Sequence, residues 1–119
     1  MPVTTQHEPD NVIVLRASGV LKRSEFADVQ STTARDIDAG AHPRIIAILE
    51  NFQGWEKGAD WNDLDFQLSH GGEIAKIAIV GDARWESEAL AFAGAGFRRA
   101  PVKFFPSGQV AAARAWLTE

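Results

Sequence analysis

The amino-acid sequence predicts an α/β fold: a mostly parallel five-stranded sheet with an antiparallel N-terminal edge strand and about four helices. Short β-branched or apolar runs alternate along the chain with stretches whose apolar residues recur at helical spacing. This alternation is typical of β-α-β units, in which right-handed crossovers join parallel strands. The length of 119 residues, with 45% apolar and 24% charged residues, predicts one globular domain over 1–119.

The N-terminal third of the chain contains two predicted strands and one helix. Residues 3–7 are expected to form an edge strand, and residues 8–11 a turn into the β-branched strand 12–15, which ends at Ser18-Gly19. The next helix is predicted over 24–39 and closed by Gly40. Its apolar stripe recurs at spacings of three and four: Phe26, Val29, Thr33 and Ile37.

The remaining elements continue the alternation. The continuously apolar run at 45–49 predicts a strand covered on both faces, the next buried strand is predicted over 74–80, and a shorter strand is predicted over 102–105. Between the first two lies an expected loop with Phe52, Gly54, Trp55 and Gly58, followed by a helix over 60–69. Asp82 and Ser107 are expected to cap two further helices, whose stripes are Trp85, Ala89 and Phe92, and Val110, Ala113 and Leu117.

Composition excludes several functions. The chain has 12 basic and 16 acidic residues, so it lacks the basic footprint that nucleic-acid binding requires. It has no cysteine, which excludes disulfides and thiol catalysis. The longest apolar runs are far shorter than the roughly 20 residues that span a bilayer, and the N-terminus does not resemble a signal peptide. We therefore expect a cytoplasmic protein without membrane insertion.

No catalytic motif is complete. The Gly94-Ala95-Gly96 segment resembles half of a dinucleotide fingerprint, but Arg99 stands at its sixth position and no P-loop is present. The acidic stretch 60–65 fits no EF-hand register, and the histidines lack metal-ligand spacing. The sequence predicts neither an enzyme nor a bound metal or cofactor. One catalytic alternative remains open, in which His70 acts as a general base beside Asp63.

Aromatic residues are the most informative feature. The chain holds four Trp and seven Phe but no Tyr, and several lie in the predicted loop and helix between 52 and 68. The alternatives are ordinary core packing or a mobile flap over an apolar site, facing the helix from 85 to 97. The flap hypothesis gives these candidate ligand-binding residues: Phe52, Trp55, Trp61, Leu64, Phe66, Leu68, Trp85 and Phe92.

Motifs spread over nearly the whole chain resemble a known family. They are Asp10-Asn11-Val12, Arg16-Ala17-Ser18-Gly19, Leu49-Glu50, Phe52-Gln53-Gly54-Trp55, the Trp61 helix, Ile77–Asp82 with Trp85, and Phe104-Phe105-Pro106 before an Ala-Arg-Ala-Trp-Leu helix. Their order and spacing are similar to those of the small bacterial SpoIIAA-like proteins, grouped with STAS and SEC14 (CRAL-TRIO) domains. The resemblance implies a SpoIIAA-like (STAS-like) fold, a homodimer, and carriage of small non-polar molecules.

The better-known STAS relatives imply another role. They are anti-sigma factor antagonists phosphorylated on a Ser or Thr after the second buried strand, whereas residues 50–55 here include no hydroxyl residue. Lys22 also stands where the resemblance implies a capping Thr, leaving Ser24 as a substitute. The leading hypothesis is therefore a non-enzymatic binding domain for a small apolar, lipid-like molecule. The alternative is a STAS-type protein-interaction module without phosphorylation at that place.

Overall fold

A computed structural model describes residues 3–9, 11–57, 74–92 and 101–119. Its five-stranded sheet follows the chain order β1-β2-β3-β4-β5. The strands are β1 (Val3–Glu8), β2 (Val12–Leu21), β3 (Arg44–Trp55), β4 (Lys76–Gly81) and β5 (Val102–Pro106). Strand β1 pairs antiparallel with β2, and every other neighbouring pair is parallel. The predicted mixed sheet and its antiparallel edge strand are confirmed.

Three α-helices occur within the described ranges, against about four predicted: α1 (Arg23–Asp38), α2 (Glu86–Phe92) and α3 (Val110–Leu117). The helix predicted over 60–69 lies outside these ranges. A 3₁₀ turn, Ala83–Trp85, leads into α2, and Asp82 caps it as predicted, since its Oδ1 accepts from the Arg84 N–H at 3.0 Å. None of the described helices has the length and apolarity needed to cross a membrane.

The sheet separates two apolar clusters. One face packs against α3, whose Ala113 and Leu117 are fully buried among residues such as Val14, Ile46 and Ala78. The opposite face carries residues of the other strand parity, including Ile13, Ile45 and Ile77, together with Ile37 of α1 and Ala89 of α2. Helices α1 and α2 therefore lie on one face of the sheet and α3 on the other. Because side chains alternate between the two faces along each strand, both faces carry apolar residues that these helices cover.

Strands β2 and β3 extend further than the sequence indicated. We expected β2 to end before Gly19 and placed residues 52–55 in a loop, but pairing continues to Leu21 opposite Trp55. The continuation requires irregular register at Gly19, and Asn51 and Gly54 adopt positive φ angles of 51° and 104°. A bulge of this kind re-aims side chains while preserving the ladder, so Phe52 and Trp55 belong to the sheet.

Two predicted helix caps are wrong. Helix α1 begins after Lys22, so Ser24 lies within it, and α3 begins after Gln109 instead of Ser107. Neither Lys22 nor Gln109 makes a side-chain capping hydrogen bond. In α1 the carboxylate of Glu56 substitutes, since its Oε1 accepts from the Arg23 N–H at 3.1 Å. A carboxylate at a helix N-terminus satisfies an otherwise unpaired donor and interacts favourably with the helix dipole.

Side-chain contacts fasten β1 to helices on both faces of the sheet. His7 Nε2 donates to Asp36 Oδ2 of α1 at 2.7 Å. Arg114 of α3 binds Glu8 with both terminal nitrogens, at 2.6 Å from Oε1 and 3.2 Å from Oε2. The hydrogen bond from Arg114 lowers the pKa of the Glu8 carboxyl. The paired carboxylate therefore stabilises the fold while it is ionised.

Glu8→Gln is expected to lower the free energy of unfolding at neutral pH and to have little effect in acid. A carboxyl whose pKa is lower in the folded state stabilises above its unfolded-state pKa, and this contribution disappears as pH falls through the folded-state pKa. Urea unfolding at a series of pH values measures this. Glu50→Gln is the control, because the Glu50–Arg16 pair is exposed at both ends and its loss should change stability by less than about 1 kcal/mol. A pH-independent effect of Glu8→Gln would contradict the prediction.

Candidate functional site

An apolar cavity of about 140 Å³ lies between the sheet and helices α1 and α2. Strands β2, β3 and β4 supply its floor, α1 and α2 supply walls, and Val3 of β1 closes one side. None of the described lining residues is charged, and the polar lining side chains are Gln30, Thr33 and the Trp55 indole. The described lining is Val3, Leu15, Ala17, Leu21, Phe26, Val29, Gln30, Thr33, Ile45, Ala47, Leu49, Phe52, Trp55, Ile74, Ile77, Ile79, Ala89 and Phe92.

Aromatic rings are grouped at the end of the cavity where β3 ends. Phe52, Trp55 and Trp85 pack edge to face around one point, with centroid separations of 5.0, 5.3 and 5.9 Å. The backbone of Gly54 lies beside one of these rings, since an added Cβ would stand 3.4 Å from the Trp85 ring. Its φ of 104° is also a conformation that L side chains rarely adopt. Glycine is therefore favoured here by its positive φ, whereas the Trp85 ring would leave an added Cβ in ordinary contact.

A second ring contact connects the two helices. Phe92 of α2 packs against Trp55 at 5.5 Å and against Phe26 of α1 at 4.9 Å. Because all three residues line the cavity, this contact joins the end of β3 to both helical walls. The distances lie in the range in which tilted aromatic pairs attract each other.

One polar atom in this aromatic region has no partner. Trp55 Nε1 is buried, and no acceptor lies within hydrogen-bond distance of it in the described structure. By contrast, the Thr33 hydroxyl donates to the Val29 carbonyl oxygen at 2.9 Å. Buried donors in native proteins are nearly always satisfied by protein, water or ligand. The Trp55 indole is therefore the one donor that is both buried and unsatisfied among the described side chains that line the cavity.

The predicted candidate residues fall into three groups. Phe52, Trp55 and Phe92 line the cavity, and Trp85 packs behind the first two without lining it. Phe52 and Trp55 lie on strand β3 and not in the expected loop, whereas Trp85 and Phe92 lie on the helical segment that follows β4, as predicted. The other four, Trp61, Leu64, Phe66 and Leu68, lie outside the described residues.

Sequence analysis missed the wall contributed by α1 and the floor contributed by the sheet. Phe26, Val29 and Thr33 were identified as the buried stripe of a helix, and Leu15, Ala47 and Ile79 belong to strands assigned to the core. The parity of the strand residues was a usable signal, because alternate residues of neighbouring parallel strands share a face. It indicates a common face but not whether that face is fully packed.

The described residues provide no other candidate centre. No group of three or more His, Asp or Glu side chains within them is arranged to hold a metal ion. The catalytic alternative, His70 with Asp63, lies outside the described ranges. Val20, 44% exposed, is the large apolar side chain that the described surface leaves exposed.

Comparison with known proteins identifies the family of this chain. The family model described as SpoIIAA-like matches residues 12–118. The chain belongs to the SpoIIAA-like family. The match covers β2 through α3 and thus confirms the resemblance predicted from sequence motifs. No curated protein sequence matches the chain.

Solved structures with the SpoIIAA-like fold are similar to this chain. One is an uncharacterised protein from Shewanella loihica PV-4, with 24% identity and a TM-score of 0.68 over 97% of this chain and 91% of the other. The second is the anti-sigma factor antagonist SpoIIAA in its unphosphorylated form, with 14% identity and a TM-score of 0.62 over 96% and 97% of the two chains. At these identities the similarity shows a common architecture.

Proposed function

We propose that this SpoIIAA-like domain binds a small apolar molecule, without catalysis, in the cavity between its sheet and helices α1 and α2. The observation that carries the proposal is the apolar cavity of about 140 Å³, whose described lining contains no charged side chain. Apolar sites select their ligands by shape and by removal of apolar surface from water. A carrier or a sensor of a small non-polar molecule would depend on both shape and the removal of apolar surface from water.

The magnitude of the cavity supports binding. An apolar cavity of about 150 Å³ in an unrelated protein stays dry and binds benzene, so a site of this size accepts one small ring. Binding of such a molecule removes apolar surface from water, which contributes about 25 cal/mol per Å². The lining of aliphatic and aromatic side chains provides the contacts that this binding requires.

A STAS-type protein-interaction module is the second candidate, supported by family membership and by the fold shared with an anti-sigma factor antagonist. The described surface favours the first candidate, because Phe52 is 3% exposed and Trp55, Trp85 and Phe92 are partly buried instead of forming an open apolar patch. Protein-docking faces usually expose such side chains in the free protein. The homodimer and cytoplasmic location implied earlier remain predictions.

Toluene is expected to bind the wild-type protein and to lose affinity roughly fivefold or more in the variant Ala47→Leu, since leucine and toluene together would overpack the cavity at a cost of about 1–3 kcal/mol. Ala47 lines the cavity from the middle of β3, so the larger side chain would occupy the ligand's space. Isothermal titration calorimetry or Trp fluorescence measures the affinity. Ala112→Leu, an exposed position on α3 across the sheet, is the matched control.

The outcomes separate the two candidate functions. Binding that Ala47→Leu abolishes and Ala112→Leu preserves supports the cavity as the site. The opposite result has two parts: toluene does not bind even at its highest soluble concentration, and a protein partner is recovered whose binding is lost in the variant Trp85→Ala. This result would favour the interaction module and overturn the proposal.

A further inference from the structure

The cavity is elongated along the strands of the sheet. Its lining on β3 runs from Ile45 at one end to Trp55 at the other. At about 3.3 Å per residue this part of the strand is roughly 30 Å long before the bulge shortens it. A sphere of 140 Å³ is only about 6 Å across and could not touch both residues. The space between the sheet and the helices is therefore long and narrow.

Helix α1 covers the cavity along the same direction. Because α1 connects the end of β2 to the beginning of β3, it runs antiparallel to both strands. Its lining residues extend from Phe26 to Thr33, which is about 10 Å along the helix axis. Phe26 packs on Phe92, and Phe92 packs on Trp55, so this end of α1 lies at the end of β3. The helix wall and the sheet floor thus follow one axis.

The lining keeps the same apolar character along this axis. Isoleucines line the end near the beginning of β3 and β4, and aromatic rings line the other end. None of the described lining side chains is charged, and the Thr33 hydroxyl already donates to the Val29 carbonyl oxygen. Burying an ionised group without a partner is far more costly than burying an apolar one. The part of a ligand that lies inside the cavity is therefore apolar over its whole length.

We propose that the cavity selects unbranched apolar chains over compact or branched molecules with the same number of carbon atoms. This inference rests on the proposed function, since it specifies the ligand class of the same cavity. An unbranched chain lies along β3 and contacts the walls over its length, whereas a compact molecule fills one section and leaves the rest without contacts. A polar or charged group at one end of the chain is compatible with binding when it stays outside the apolar lining.

The first test is a series of primary alcohols, from 1-pentanol to 1-decanol, titrated into the wild-type protein by isothermal titration calorimetry. Each methylene that enters apolar surroundings raises affinity about threefold to fourfold. We expect this rise to continue through the series up to 1-decanol. A site that takes only a compact molecule of the size of benzene would end the rise at about six carbons.

The second test compares 1-heptanol with its branched isomer 2,4-dimethyl-3-pentanol. The two alcohols contain the same atoms and one hydroxyl group, so they differ in shape. After correction for their partition between water and octanol, 1-heptanol is expected to bind about fivefold more tightly, because the branched isomer loses the contacts of one to two carbons. Both tests use the wild-type protein and do not depend on the folding of a variant.

A variant locates the chain in the cavity. Ala47 lies between Ile45 and Trp55 on β3 and lines the cavity, so Ala47→Leu should narrow it between its ends. A long chain must pass this position, whereas a short chain fits on one side of it. The affinity of 1-decanol is therefore expected to fall by a factor about threefold larger than that of 1-pentanol. Ala112→Leu, exposed on α3 across the sheet, is the matched control and should leave the series unchanged.

Three results would each overturn the inference. They are a rise in affinity that ends by 1-hexanol in the wild-type protein, equal corrected affinities for the two heptanol isomers, and the same fractional loss for every alcohol in Ala47→Leu. If toluene still binds, the proposed function stands without this selectivity. If neither toluene nor any alcohol binds, the proposed function fails as well.

Discussion

Ala78→Leu is expected to lower the free energy of unfolding by about 1–3 kcal/mol, whereas Ala47→Leu should raise it by about 0.5–2 kcal/mol. Both alanines lie in the middle of parallel strands, and Ala78 pairs with Ile46, the neighbour of Ala47. Their side chains point to opposite faces. The same substitution is thus expected to have opposite signs only a few ångströms apart.

The opposite signs of the two stability changes follow from the surroundings of each side chain. Ala78 is fully buried in the cluster covered by α3, where three added carbons must displace close-packed neighbours. Ala47 lines the cavity, so its added carbons occupy space and gain contacts with apolar neighbours. Urea unfolding monitored by circular dichroism measures both changes. Equal destabilisation by the two variants would indicate that the second face is as tightly packed as the first.

Phe52→Ala is expected to lower the free energy of unfolding by about 3–5 kcal/mol. Phe52 is 3% exposed and packs edge to face against both Trp55 and Trp85. Truncation removes these contacts and enlarges a cavity that is already present. Thermal or urea unfolding measures the loss, and the intrinsic Trp fluorescence should shift because two indoles lose a neighbour.

Phe52→Leu is the matched variant, because leucine retains most of the apolar volume but not the ring. Each aromatic pair contributes about 0.5–1.5 kcal/mol beyond burial, so the leucine variant should lose roughly 1–3 kcal/mol. A loss below about 1 kcal/mol for Phe52→Ala would contradict the burial and ring contacts described for this residue.

The alternation of strands and helices was predictable because it depends on local periodicity, and the α1 stripe of Val29, Thr33 and Ile37 is buried as expected. The end of β3 was not predictable. Glu50, Asn51 and Gly54 are poor strand residues, and β3 continues past them because register shifts on both sides of Gly19 let pairing with β2 resume at Phe52 and Gly54. Such a match between two strands is not visible in either strand alone.

Helix caps show the same limit. Ser24 and Ser107 have the side chains that favour capping, and neither is used. For α1 the acceptor comes from Glu56, more than thirty residues away, because the extended β3 delivers that carboxylate to the Arg23 N–H. A local cap can be predicted from neighbouring residues in the sequence, whereas the Glu56 cap exists only after the sheet has formed.

The candidate site was predictable as chemistry but not as shape. Aromatic content identified Phe52, Trp55 and Phe92, yet the α1 wall and the unpaired Trp55 Nε1 depend on how completely helices cover the sheet. Coverage is a property of packing among distant residues, and hydrophobic periodicity does not report it.

Strand β1 has a protective consequence. The family match begins at residue 12, so β1 precedes it, although β1 forms six register pairs with β2 and contacts α1 and α3 through His7 and Glu8. A chain trimmed to the matched residues would present the long, apolar β2 as a bare sheet edge, and such edges recruit strands from other molecules. The polar strand β1 therefore covers the β2 edge and protects it from pairing with strands of other molecules.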